Sequence, residues 1–503
     1  MSARNCRQFI GGLIAVRKVL LGNVAIALFL RNPKAFLINL SRRFRHNPRL
    51  NGFAKTCTKL FDSPAQKLRE AGMLDEALLK TSRRQYWLSW QVNQEIAQLE
   101  EPIWESISTR ENQSRKVVYF LTNSKPYSNA GYAVRSHEIL KALANANVDV
   151  RAITRFGYPY VIGKAPRTVE GEWEGVLYKR IVPKYFPLSW KKEFEKAVEF
   201  LAEFARDSGA ELIHCTSGYQ NAQIASAAAR ALGIPWIYEV RGEPQNTWLS
   251  KFHGEEEKRA RESLRYRMEN RLELEAMKKA ASVVVLSEVS KRRMMLKGIE
   301  GHKINVVPNS IDETVFTVEV RPEAIRKSLC VQHKITFGTV SSLVAYEGLE
   351  TLIYALCHLP EIYELLVVGG GEEFDSLVQL AEKLKVQNRV HLVGYRPYEE
   401  ILDWYSALDI FVLPRKDEYV TRFVTPLKAL NAQALGKPVV ASDLPAIREI
   451  TGNLAHYVTA DDAVAFAQQI KQVQLGPDNK SIEWVKTRTW QKAIRDLLAA
   501  YGG

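Results

Sequence analysis

"RFVTPLKALNAQALGKPVVASD", Arg422 to Asp443, reads as a short helix feeding a buried strand. Thr425 ahead of Pro426 is the pattern of an N-cap followed by proline at the first helical position, and Gly436 with Pro438 closes the helix before the β-branched run VVAS. A helix N-terminus offers unpaired N–H groups and about half a unit of positive charge, so this end suits a phosphate. Arg415, Arg422 and Lys428 gather before it or in its first turn, and Lys428 and Asn431 share a face. Taken alone, the pattern more often means solvated bases on a helix that simply covers a sheet.

Working outward, the same helix-then-strand rhythm recurs. One series of short β-branched runs is VVYFL (Val117–Leu121), VDVRAIT (Val148–Thr154), ELIHC (Glu211–Cys215), WIYEV (Trp236–Val240), SVVVL (Ser282–Leu286) and INVVP (Ile304–Pro308). Helical stretches lie between them, among them Tyr132–Ala144 and Tyr219–Leu232, the second ending at Gly233. A second series is ITFGTV, ELLVVGGG, RVHLVGY, DIFVLP, PVVASD and HYVTA. Strands alternating with helices in this way make parallel sheets covered by helices, so the expected class is α/β with two tandem Rossmann-like domains. Open parallel sheets bind ligands beyond their strand C-termini, which places the expected site in a cleft between the two, with VVPNSIDETVF (Val306–Phe316) as hinge.

The rest of the chain differs in charge. Its net charge is +14, yet residues 1–61 alone hold twelve Lys and Arg and no acid before Asp62. Bases there alternate with aliphatic runs, the longest uncharged one being Val19–Leu30, too short for the roughly 20 residues that span a bilayer. Arg17 and Lys18 interrupt the apolar region that a signal peptide would need. The arm is therefore expected to lie in the plane of an anionic membrane surface, or to pack as basic helices on the neighbouring domain; nucleic acid is not an expected partner, because few aromatics accompany the bases. Five widely spaced cysteines, with no C-x-x-C, fit a reducing compartment. The expected organisation is a basic arm (1–61), a helical connector (62–112), one Rossmann-like domain (113–314), a second (315–480) and a C-terminal helix (481–503) crossing back to the first, with the boundary after the connector read at ENQSRK (Glu111–Lys116).

Several segments carry a resemblance by their order and spacing together. They are SNAGYAVRSHEIL (Ser128–Leu140), YEVRGEPQNTW (Tyr238–Trp248), AASVVVLSEVSKRRMMLKG (Ala280–Gly298), INVVPNSID (Ile304–Asp312), GTVSSLVAYEGLETLIYAL (Gly338–Leu356), LLVVGGGEE, VHLVGYRPYEEILDWYSALDIFVLPR and TPLKALNAQALGKPVVASDLPAIREI. From about residue 115 to 500 the chain resembles the retaining GT-B glycosyltransferases of family 4, which take nucleotide-activated sugars and need no metal or other cofactor.

That resemblance implies roles. Gly131 would let backbone approach the donor phosphate or the acceptor, and Arg135 and His137 would face the cleft from the same helix. Without the motif, Arg135 reads as a surface base and His137 as a satisfied polar contact. Glu239 and Arg241, at a strand end, would sit at the ligand edge, or would be a buried pair that fixes the loop. Gly394 and Tyr395 would lie beside the nucleotide base, Thr425 would cap the phosphate-binding helix, and Glu449 would be a carboxylate near the donor. Arg415, Arg422 and Lys428, with His137, would carry the catalysis by stabilising the leaving diphosphate.

Departures from the family pattern are as informative. The two glutamates of its E-x7-E motif align with Phe423 and Asn431, and Asn431 can still hydrogen-bond a ribose hydroxyl. Where many relatives bring Arg and Lys to the diphosphate, Ser342 and Glu347 align, so Glu347 would repel the diphosphate unless the three bases compensate. The VAYEG and TPLK variants resemble those of one branch of the family. The expected function is transfer of a sugar, with retention, to a glycan or lipid-linked acceptor in cell-surface polysaccharide assembly. The expected location is the cytoplasmic face of a membrane, beside other polysaccharide-assembly proteins. The competing expectation is a catalytically degenerate GT-B module that binds a partner glycosyltransferase or a glycan.

Overall fold

The computed structural model describes residues 22–43, 47–82, 85–107, 115–166, 168–183 and 185–502. The first 21 residues of the basic arm and most of the Glu111–Lys116 boundary lie outside the described residues. The chain forms two compact units, Met1–Val283 with Tyr501–Gly503, and Val284–Ala500. This division falls within Val283–Val285, before the 314/315 boundary read from the sequence; on its later side, Asn309 Nδ2 donates to the Thr425 carbonyl at 3.0 Å. The C-terminal helices Asn479–Lys486 and Trp490–Ala500 belong to the second unit. Only Tyr501–Gly503 returns to the first, where the Tyr501 hydroxyl lies 2.9 Å from His214 Nδ1.

In the first unit six strands lie side by side. They are β1 (Lys116–Leu121), β2 (Asp149–Thr154), β3 (Glu170–Trp173), β4 (Val176–Arg180), β5 (Leu212–Thr216) and β6 (Trp236–Val240), in the order β3-β4-β2-β1-β5-β6. All pair in parallel except the β3–β4 hairpin. That hairpin is an addition to the strands read from the sequence; it turns through Glu174 and Gly175, both at positive φ. β1, β5 and β6 are apolar along almost their whole length and are buried on both faces, as strands sandwiched between helices must be. The covering helix Tyr219–Leu232 stops at Gly233, whose φ of +64° lets its N–H turn back to the Ala229 and Arg230 carbonyls.

Helices 22–31, Pro33–Arg43 and Pro48–Thr58 form the described part of the basic arm. Arg31 pairs with Glu193 and donates to the Pro187 and Leu188 carbonyls, Lys34 pairs with Asp62 and Glu70, and Trp87 Nε1 donates to the Leu30 carbonyl. Part of the arm's charge is therefore spent on packing. Its outer face still exposes Ile26 (62%), Leu50 (46%) and Phe53 (65%). No helix among the described residues is long and apolar enough to cross a membrane.

The second unit contains the short strands β7 (Val283–Val285, entered at the boundary) and β8 (Ile304–Val306). Beyond them lies a six-stranded parallel sheet made of β9 (Ile335–Val340), β10 (Tyr363–Val368), β11 (Val390–Gly394), β12 (Ile410–Leu413), β13 (Val439–Ser442) and β14 (His456–Val458). Its order is β11-β10-β9-β12-β13-β14, so the winding reverses between β9 and β12. Apolar clusters pack on both faces, one around Leu366, Phe411 and Leu430, the other around Phe337, Leu352 and Phe466. At such a reversal the loops after the two strands diverge and leave a crevice at the carboxyl edge.

Candidate functional site

Three loops converge on that edge. The loop after β9 carries Ser341, Ser342 and a single helical turn Ala345–Glu347, ended by Gly348 at φ +66°. A Cβ on Gly348 would stand 2.1 Å from the Pro414 carbonyl oxygen, so only glycine brings Glu347 this close to the end of β12. The loop after β10 is Gly369–Gly371; a Cβ on Gly369 would meet the Ser341 carbonyl oxygen at 1.8 Å, so its backbone is pressed against the β9 loop. Gly369 N–H also donates to the Gly394 carbonyl at 2.9 Å, which brings the end of β11 and the exposed Tyr395 alongside.

Into this frame project Arg415, directly beyond β12, and Lys428, first residue of the helix Lys428–Ala434. Both bind Glu347, which is 4% exposed. Arg415 donates through Nε and Nη2 at 3.2 and 2.9 Å, and Lys428 Nζ lies 2.7 Å away. Lys428 also donates to Ser341 Oγ, and Arg415 Nη1 to the Val424 carbonyl. Burial would raise the Glu347 carboxyl, but Arg415 and Lys428 outweigh it and hold it at about 2. Burial lowers the Lys428 ammonium to about 8 against the pull of Glu347.

These contacts correct several expectations. Glu347 does not stand as an opposing charge; it is the hub on which two of the three bases converge. Arg422 is half-exposed and bound to Asp417, so it does not join them. Ser341, not Ser342, meets Lys428; the Ser342 side chain is exposed. Thr425 is not an N-cap, since the helix starts at Lys428, after Leu427. Asn309 holds Thr425 by its carbonyl and its Oγ1, and Arg415 holds Val424, so the chain stays outside the helix through Pro426. Asn431 lies beside the buried Tyr405 hydroxyl, whose pKa burial raises and the Asn431 side chain lowers. Glu449 caps another helix: its carboxylate accepts from the N–H groups of Glu288 (2.7 Å) and Val289 (2.9 Å), beside an open pocket of about 440 Å³ that Lys291 and Arg488 also line.

In the first unit, Gly131 opens the helix Gly131–Asn145, as expected, but the side chains that follow are enclosed. Arg135 Nε donates to Glu239 Oε1 at 2.7 Å, and both residues are buried. Glu239 also accepts from Arg241 (2.6 Å) and the Tyr119 hydroxyl (2.5 Å), and His214 lies 3.5 Å away. Of the two readings of Glu239 and Arg241, the geometry is that of the buried pair. Burial opposes ionisation of Glu239, yet Arg241 and Arg135 hold its carboxyl well below the usual range. His137 is buried between the Tyr178 hydroxyl (2.8 Å) and Glu174 (3.0 Å), and burial lowers its pKa despite Glu174.

Sequence reasoning missed Ser341 and Gly369–Gly371. The triple glycine was the available signal, since consecutive glycines after a buried strand mark a close backbone approach.

The family described as glycosyl transferases group 1 matches residues 334–474, and the glycosyl transferase 4-like domain matches residues 130–310. A D-inositol 3-phosphate glycosyltransferase of Xylanimonas cellulosilytica is 28% identical over 200 residues, 37% of this chain and 46% of that protein. A lipopolysaccharide core biosynthesis glycosyltransferase of Rhizobium meliloti is 32% identical over 137 residues, 27% of this chain and 38% of that protein. The chain thus spans about half the length of the curated relatives it matches, or less. Among solved structures, the Anabaena protein HepE in complex with UDP and glucose aligns with a TM-score of 0.57 at 16% identity, covering 77% of this chain and 99% of that one. Sucrose-phosphate synthase of Thermosynechococcus elongatus aligns at 0.56 and 21%, covering 77% and 95%; these likenesses show a shared fold. Two family matches in the expected order, on two parallel-sheet units of this topology, establish that the chain belongs to the group 1 glycosyltransferases of GT-B architecture.

Proposed function

We propose that the chain transfers a sugar, with retention, from a nucleotide-sugar to a glycan or lipid-linked acceptor in cell-surface polysaccharide assembly. The observation that carries this reading is the Lys428–Ser341–Glu347–Arg415 cluster beside the Gly369–Gly371 loop, at the winding reversal of the second sheet. An ammonium has three donors, and Glu347 and Ser341 take two of Lys428's, leaving one N–H for a diphosphate oxygen. Glu347 fixes that ammonium in place before the substrate arrives, which is electrostatic preorganisation for the charge that builds on the leaving diphosphate. Tyr395, 69% exposed next to the glycine loop, offers a face for the nucleotide base. The UDP-glucose complex of HepE and the lipopolysaccharide core biosynthesis relative support the donor and acceptor classes by analogy.

A thermal-shift and titration panel of UDP-, GDP-, ADP- and dTDP-sugars tests the reading. One nucleotide class should bind, and Lys428→Ala should weaken it by about tenfold or more, the worth of a charge-assisted hydrogen bond. Affinity should also fall as pH rises through about 8, where Lys428 loses its proton. The competing reading, a non-catalytic module that binds a partner glycosyltransferase or a glycan, is favoured by one observation: Glu347 already neutralises much of the cationic charge. Binding of no nucleotide in the panel would establish it over the transferase.

We assign the outer face of the arm to an anionic membrane on the cytoplasmic side, where other polysaccharide-assembly proteins would be neighbours. Phe53 and Leu50 would enter the interface, with Arg49 and Lys55 of the same helix near the head groups. In vesicle flotation with one-third phosphatidylserine, Leu50→Asp with Phe53→Asp should cut the bound fraction about tenfold. An unchanged fraction would refute the assignment.

A further inference from the structure

The carboxyl ends of β1, β2 and β4 are neighbours in the first unit: Leu121 is in register with Thr154, and Thr154 with Arg180. Cations gather there. Arg180, last in β4, is 3% exposed; its guanidinium lies over the Tyr127 ring at 5.1 Å, its Nη1 makes a long contact to the Thr168 carbonyl (3.4 Å), and its Nε is buried without a hydrogen-bond partner among the described residues. Arg155, directly after β2, donates from Nη2 to Asn123 Oδ1 at 3.1 Å, and its Nε is likewise buried and unpartnered. Lys125, buried beyond β1, donates to Asn129, and Lys164 donates to the Tyr127 carbonyl at 2.7 Å. The Tyr127 and Tyr158 rings meet edge to face at 6.4 Å and tie the group together.

The contrast with the Glu239 network is sharp. There a buried carboxylate compensates the guanidinium groups, whereas here Tyr127, Tyr158 and Tyr178 are the ionisable groups acting on Arg180, with no carboxylate among them. Among the described residues, the one carboxylate acting on Arg155 is Glu193, which is already paired with Arg31. A guanidinium withdrawn from water and left without an anion is costly, so a site that keeps a buried Arg180 and a half-buried Arg155 in adjacent strand ends is built for an anion that arrives from outside. Flat forks with nitrogen donors to spare suit phosphate oxygens, and the tyrosine rings beside them suit the face of a sugar or polyol.

We infer that Arg155, Arg180, Lys125 and Lys164 form a binding site for a phosphate group carried by the acceptor, on a sugar or polyol or on a lipid phosphate. This rests on the proposed transferase reading and adds to it the charge class of the acceptor, recognised by the first unit alone. Isothermal titration of the full-length chain tests it with glucose 6-phosphate, glucose, a detergent-solubilised polyisoprenyl phosphate and UDP. A phosphate ester should bind about tenfold or more tightly than glucose, and Arg155→Gln and Arg180→Gln should each remove that advantage. UDP affinity should stay within about twofold in both variants, as expected for a site built from residues of the other unit that share no partner with Arg155 or Arg180. Preference for glucose 6-phosphate identifies a phosphorylated sugar, and preference for the polyisoprenyl phosphate identifies a lipid-borne group; either sustains the site.

Equal binding of glucose and both esters, or ester binding that survives both substitutions, would overturn the inference even if UDP binds normally. Loss of UDP binding alone, with Arg180-dependent ester binding intact, would instead refute the donor reading. Because Arg180 is buried, Arg180→Lys and the exposed Lys164→Gln are measured in parallel with thermal unfolding. Ester affinity that falls in Lys164→Gln at an unchanged midpoint separates recognition from folding.

Discussion

Replacing Glu239 by alanine should lower the unfolding free energy of the first unit by about 3–5 kcal/mol, the usual cost of removing one partner from a buried ion pair. The residue is fully buried, and its removal leaves Arg135 and Arg241 facing each other with only Tyr119 and His214 between them. Tryptophan fluorescence in urea follows the change, since Trp236 lies three residues upstream on the same strand. The sign with pH is fixed by the direction of the shift. The Glu239 carboxyl is held below its ordinary value near 4.5, so its contribution is complete above about pH 5 and fades as pH falls toward the native value. A loss under about 1 kcal/mol, the range of exposed ion pairs, would mean that the network is not structural.

The second large effect belongs to Glu347. A carboxyl lowered from 4.5 to about 2 contributes on the order of 3 kcal/mol above pH 5, lost as pH falls through that window toward 2. Glu347→Gln should therefore destabilise the second unit by about that amount at pH 7 and flatten its acid unfolding limb. Glu347 also raises the pKa of Lys428 against burial. Without it, the midpoint at which nucleotide affinity declines should move from about 8 to lower pH. A glutamate that touched only substrate would weaken binding at every pH and leave stability alone, so the pair of measurements tells a positioning role from a binding one.

What could be read along the chain was local. Buried parallel strands announce themselves by β-branched runs because both faces are covered, and Trp236–Val240 was read to the residue. Gly233 announced a helix end because only a residue free of Cβ strain closes it cheaply. The β3–β4 hairpin was overlooked because EGEWEGVLYKR alternates charge with apolar residues across a Glu-Gly turn, a weaker signal than an unbroken aliphatic run. The start of the helix at Lys428 could not be read from Thr425–Pro426, since the bonds that hold Thr425 outside the helix come from Asn309, 116 residues away. Local capping preference, worth about 1 kcal/mol, yields to such contacts.

By itself the sequence determined two helix-covered parallel sheets, the order of the family segments and the separation of a basic arm from a nearly neutral remainder. Period, β-branching and charge are properties of neighbouring residues, and they survive without knowledge of the fold. The tertiary structure alone decided which charges meet. Glu347 and Arg415 stand 68 residues apart, yet they form one buried pair, while Arg422 turned to Asp417 and solvent. Arg155 and Arg180 became neighbours only when β2 and β4 paired. Coulombic attraction falls with distance through space and takes no account of separation along the chain, so the partners of a charge are set by strand order and burial.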